Sequence, residues 1–276
     1  MKTKAFPIIL ASLFTATVAQ SQMIISGYMA NPSSTDSPYE YVQLLATKDI
    51  DFSATPMAVV FANNGNAGAG GWTAGGGLTY ELSLTSGSVT SGQAFYVGGD
   101  GKTINGSGSL SLAGETWIRA VNTATTGGDL FGNSASAGVV GNGGNNADGI
   151  ALFNTTNLTA STVPIDAAFY GSDIGSATNN GFSTFTLPAN DQYNGGYLQA
   201  GDSLFPDPGG GDYTHLSGTN DAGSGSWTVA RTGTLTGNPT SLSDITPGIT
   251  VVPEPSAVAL IGAGLVTLWN LRRRKP

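Results

Sequence analysis

The chain has 276 residues, 41 of them glycine and none cysteine, with a formal net charge of −8. The lack of cysteine excludes disulfide staples, thiolate zinc, iron–sulfur clusters and cysteine nucleophiles, so the fold rests on burial alone. Six of the 10 basic residues lie at the two ends, and 17 of the 18 acidic residues lie between residues 22 and 252 beside the other four bases, a local net charge of −13. Such a segment repels phosphate, and no nucleic-acid partner is expected.

Met1, Lys2, Thr3 and Lys4 form a short basic start, followed by an apolar run to Ala19 and small residues around Gln20 and Ser21. This is the layout of a secretory signal peptide over residues 1–21, read by the Sec translocon and a signal peptidase. Short apolar or alternating runs then recur at 23–29, 39–46, 57–62, 78–84, 94–97, 109–112, 116–121, 149–153, 165–170, 182–187 and 227–230. They are β-branched or aromatic and bounded by Gly, Asn, Asp, Ser or Pro, and none holds a helical period over eleven residues. An all-β fold is expected across 22–248, with a sandwich favoured because no fixed repeat length appears. The glycine-rich stretches between the runs read as turns: they lack the Lys-Ser/Thr and helix of a phosphate loop.

The tail is a separate unit over 249–276. Pro253, Glu254 and Pro255 break regular structure. Residues 257–269 are an apolar run that Asn270 and Leu271 extend to a helix over 257–271, and Arg272, Arg273, Arg274 and Lys275 form a stop-transfer cluster held cytoplasmic by the positive-inside rule. Fifteen residues make about 22 Å of helix, short of a hydrocarbon core of roughly 30 Å. That length suits a transient stay in the inner membrane. In order and position these three parts resemble the sorting signal of PEP-CTERM proteins, the bacterial substrates of exosortases. The resemblance implies export, an exosortase partner, processing at Pro253, Glu254 and Pro255, and a final place at the cell surface or in the extracellular matrix. Exopolysaccharide and other surface proteins would then be its neighbours.

A second resemblance lies near the start of the ectodomain. Ile24-Ile25-Ser26-Gly27-Tyr28-Met29-Ala30-Asn31-Pro32 and Tyr39-Glu40-Tyr41-Val42-Gln43-Leu44 resemble the opening strands of lamin-tail domains. The segments 147–153 and 163–171 resemble a later hairpin of that family, and 227–232 its closing strand. The resemblance implies an immunoglobulin-like β-sandwich used for interaction or scaffolding, with an insertion around 65–111 forming extra hairpins. Gly27 and Gln43 stand where the family has glutamates. Alternation along 39–44 puts Glu40 with Val42 and Leu44 on the core face, where a carboxylate needs donors; the loop 31–37 is the expected source.

Candidate chemistry is sparse. His215 is the only histidine, and no Gly-x-Ser-x-Gly elbow accompanies it, so an exposed loop position is expected. Calcium is the one cofactor with candidate ligands, Asp207, Asp212 and Asp221 in a glycine-rich loop; otherwise no metal or cofactor is expected. No catalytic residue is assigned, and the expected role is structural or interactive, not enzymatic. The alternative is a surface-displayed carbohydrate-binding module or hydrolase, with paired acids for the chemistry and Trp72, Trp117 and Trp227 as stacking surfaces.

Overall fold

The computed structural model describes residues 22–63, 71–74, 79–121, 129, 138–144, 147–171, 185–188 and 204–253. The expected signal peptide (1–21), the run 257–271 and the cluster Arg272–Lys275 lie outside them. Among the described residues no helix is long and apolar enough to cross a membrane.

Thirteen strands carry the described fold: β1 (Met23–Asn31), β2 (Tyr41–Ala46), β3 (Ile50–Asp51), β4 (Met57–Ala62), β5 (Thr79–Leu84), β6 (Ser88–Val89), β7 (Ala94–Gly99), β8 (Trp117–Val121), β9 (Asp148–Phe153), β10 (Asp166–Tyr170), β11 (Asp212–Asp221), β12 (Ser226–Gly237) and β13 (Gly248–Val252). Among the described residues, helical turns include a distorted one at Asp36–Tyr39 and a 3₁₀ turn at Leu242–Ile245. The described residues are mostly β-sheet, consistent with the expected all-β class.

A seven-stranded sheet runs β12-β11-β1-β2-β7-β8, and β13 joins it by pairing with β11; a four-stranded sheet runs β10-β9-β4-β5. The small pair β3-β6 stands apart. β11 is shared along its length: β1 pairs antiparallel with residues 212–215, and β13 pairs parallel with Ser217–Asp221.

The two sheets face each other across one apolar cluster. Val42, Leu44, Phe95, Val97 and Leu216 come from the larger sheet, and Val59, Phe61, Leu82, Ile150, Leu152 and Tyr170 from the smaller. Each sheet also buries its outer face. Over the four-stranded sheet, the alanines 58, 62, 151 and 167 lie under Trp72, Phe153, Phe169 and Phe185. Over the seven-stranded sheet, Met29, Tyr41, Tyr96 and Tyr213 pack with Ile104, Leu112 and Ile245. Strands covered on both faces need not alternate with polar residues, which is why β4 (MAVVFA) and β2 (YVQLLA) are buried throughout.

In β1 a register shift between Ile25 and Gly27 adds one residue opposite β2. The extra residue changes the phase of alternation, so Ile25 and Tyr28, three apart, both enter the central core. Gly27 then lies under Tyr213: a Cβ there would sit 2.1 Å from the phenol oxygen. The position therefore has no room for the glutamate that the lamin-tail pattern places there.

Several expectations need correction. The stretch 65–111 does not form separate extra hairpins where it is described. β5 is the edge of the four-stranded sheet, and β7 is an interior strand of the larger one, between β2 and β8. The run 109–112 makes only a single bridge, Thr103 to Ser111. Of 182–187, the described part, 185–187, is not strand; Phe185 and Leu187 instead cover the outer face of the small sheet. Residues 212–221, read as loop, form a ten-residue strand. The sheet also extends through β13 to Val252, beyond the expected domain end at residue 248.

Candidate functional site

The C-terminal exit is built from the 3₁₀ turn onward. Asp244 accepts N–H bonds from Thr240 at 2.8 Å and Ser241 at 2.9 Å, which hold its carboxyl below the usual range and cap the turn. Gln43 donates to the Ile245 carbonyl at 2.8 Å, and His215 Nε2 lies 2.5 Å from the Thr246 carbonyl. His215 is therefore a strand residue of β11 fastening the exit, not the loop residue expected. β13 then runs beside β11 until Ala222 N–H closes on the Val252 carbonyl at 3.0 Å. The ladder ends there. Val252 is 44% exposed and Pro253 is exposed, a residue that has no N–H to extend the sheet. Glu254 and Pro255 lie outside the described residues.

A second feature is a small cleft of about 10 Å³, room for about one water-sized occupant, lined by Asp36, Pro38, Glu40, Gly99, Gly138 and Val139. Glu40 is 1% exposed. Its Oε2 accepts from Val139 N–H at 2.6 Å and Val140 N–H at 3.0 Å, while Oε1, equally buried, has no hydrogen-bond partner. The donors thus come from the 138–144 loop and not from 31–37 as expected. Gly138 comes so close to this carboxylate, with φ +107°, that only glycine fits. Burial drives the Glu40 carboxyl well above its ordinary value; the Val140 and Val139 N–H groups oppose the shift, and the charges of Asp36 and Asp148 reinforce it. Two more acids hold the same loop: Asp148 accepts from Gly143 N–H at 2.6 Å, and Asp207 from Gly144 N–H at 2.6 Å.

The three calcium candidates do not meet. Asp212 opens β11 and Asp221 closes it, about 30 Å apart at roughly 3.3 Å per residue. Each accepts from a backbone N–H, two of them local: Gly209 for Asp212, Gly223 for Asp221, and the distant Gly144 for Asp207. Among the described residues no group of three or more acids or histidines is placed to share a metal. The tryptophans are also dispersed. Trp72 is buried and donates to the Thr186 carbonyl, Trp117 stacks on Tyr96 at 5.4 Å, and Trp227 lies against Arg231 at 4.4 Å.

Two buried constellations had no signal in the linear chain. Arg231 of β12 crosses the sandwich to Asp166 of β10 through two contacts of 3.0 Å, and Asp166 also accepts the Ile25 N–H at 2.8 Å. The pair joins the two sheets at the place where β1 has left β11. Gln43, on the outer face, accepts from Ser26 at 3.0 Å and Tyr213 at 2.9 Å, and donates to Tyr96 at 3.0 Å and to the Ile245 carbonyl. All four hydrogen-bonding capacities of the amide are used, so a glutamate in its place would lose two donors.

No curated protein and no solved structure matches the chain. Residues 251–275 match the PEP-CTERM protein-sorting motif, so a recognised sorting signal begins inside β13, the last strand among the described residues.

Proposed function

We propose that the chain is an exported, non-enzymatic structural or interaction protein of the bacterial cell surface or extracellular matrix. Sec export and signal peptidase act on residues 1–21; the tail then holds the chain at the inner membrane through 257–271 until an exosortase processes it around Pro253, Glu254 and Pro255. The carrying observation is the motif match over 251–275 together with its starting point, the last hydrogen-bonded residues of β13. Four residues separate Val252 from Ala257, about 13 Å when extended, so the ectodomain rides close to the membrane before release. Prolines on either side of Glu254 hold the segment extended for a protease cleft. Exopolysaccharide and other surface proteins are the neighbours this destination supplies. The lamin-tail reading of the ectodomain belongs to the same proposal and rests on the sequence resemblance of residues 24–32 and 39–44 alone.

The test replaces Pro253, Glu254 and Pro255 by alanine in the full chain and follows maturation by cell fractionation and mass spectrometry. Retention of the unprocessed form in the inner membrane is expected. Normal maturation and surface delivery would refute the proposal.

A further inference from the structure

We infer that the Glu40 cleft is a calcium site, with Glu40 and Asp36 as its carboxylate ligands. The starting point is the orphaned Glu40 Oε1, fully buried in a wall of the cleft with no hydrogen-bond partner. A buried polar atom without a partner costs about 1–3 kcal/mol, and more when it carries charge. Its twin oxygen is held by two backbone donors from the 138–144 loop. Such a division, one oxygen fixed by N–H groups and the other left for a cation, is how ligating carboxylates are oriented.

Asp36 repeats the pattern. Asn142 Nδ2 donates to its Oδ2 at 3.2 Å, and no such bond engages Oδ1. The Glu40 N–H bond to the Asp36 carbonyl, 3.0 Å, folds the chain back so that both acids line one cleft. Asp148 adds a third negative charge close by, felt at Glu40. The cations of the described ectodomain are engaged elsewhere in three of four cases: Arg119 with Asp129, Arg231 with Asp166, and Lys102 over Trp117. Two carboxylates in an irregular, loop-walled cleft, with water completing the shell at its mouth, fit calcium, which accepts six to eight oxygens in flexible geometry. They do not fit magnesium, which demands a near-ideal octahedron. Two charged ligands place the dissociation constant on the order of 0.1–1 mM, the range of extracellular calcium modules. Bound calcium would bridge the Asp36 turn and, through Glu40, the 138–144 loop, tying two irregular segments to the sheet rim.

The experiment uses the full chain in detergent, titrated with calcium and, separately, with terbium read through tyrosine-sensitised emission; Tyr170 lies near enough to sense the Glu40 charge. Wild type is expected to give saturable emission displaced by calcium, and 10 mM calcium to raise the unfolding midpoint by roughly 3–10 °C. Glu40→Gln and Asp36→Asn should each weaken binding at least tenfold. Asp36 is only half-buried, so its variant remains informative if Glu40→Gln fails to fold. The combined variant Asp207→Asn, Asp212→Asn, Asp221→Asn should bind as wild type does. The assignment is overturned if wild type shows no calcium-dependent shift, if Asp36→Asn binds undiminished, or if the triple variant loses binding.

Discussion

Replacing Arg231 by methionine tests what holds the two sheets in register. Methionine keeps most of the apolar stem but removes the guanidinium, and with it both contacts to Asp166, the bond to the Ala167 carbonyl and the cation–π contact with Trp227. The side chains of Arg231 and Asp166 are 0% and 3% exposed, so solvent screens neither. Asp166 would be left as a buried charge beside the Ile25 N–H. Breaking a buried pair from one side costs about 3–5 kcal/mol, because the abandoned charge loses its compensation. For a domain of this size that corresponds to a fall in midpoint of roughly 6–20 °C. Urea unfolding of residues 22–252, followed by tryptophan fluorescence, measures it. The double variant Arg231→Met, Asp166→Leu should cost clearly less than the sum of the single changes, since it leaves no charge behind. A loss below about 1 kcal/mol for Arg231→Met, the value of an exposed pair, would refute the assignment of this bridge as the inter-sheet lock.

Two further outcomes follow from buried polar groups. Gln43→Glu should destabilise the domain by about 3 kcal/mol or more at pH 7, since a carboxylate cannot donate to Ile245 or Tyr96 and is buried; denaturant midpoints check this, and Gln43→Met should be milder than Gln43→Glu. Glu81 has its carboxyl raised from 4.5 to about 7 by burial and then by the charge of Asp129. Its folded form therefore binds a proton that the unfolded form releases, so its contribution is full below about pH 4.5 and is lost as pH rises through about 7. A stability profile from pH 4 to 8 should decline across this window, and Glu81→Gln should flatten it by an amount on the order of 2–3 kcal/mol.

Much of the fold was legible where a strand is apolar on both faces. The run Met57–Ala62 matches β4 residue for residue, and 94–97 and 149–153 fall within or over β7 and β9. β11 was not legible. Its Asp-Tyr-Thr-His-Leu-Ser-Gly-Thr-Asn-Asp sequence has little apolar content, and it is a strand because β12 on one side and β1 and β13 on the other take its backbone bonds. The same blindness placed three aspartates in one loop that are in fact spread along that strand and the turn before it. Glu40 illustrates the middle case: alternation assigned it to the core face with Val42 and Leu44, but its donors come from a loop about a hundred residues away.

By itself the sequence determined the all-β class, the absence of covalent staples, the acidity of the ectodomain and the sorting tail, because each depends on local composition, period or a contiguous motif. The tertiary structure alone decided which polar side chains are buried together. Arg231 with Asp166, Gln43 with Tyr213, and Glu40 with Val139 are separated by 65 or more positions, and no local pattern encodes a pairing that exists only once two sheets and their covering loops have closed.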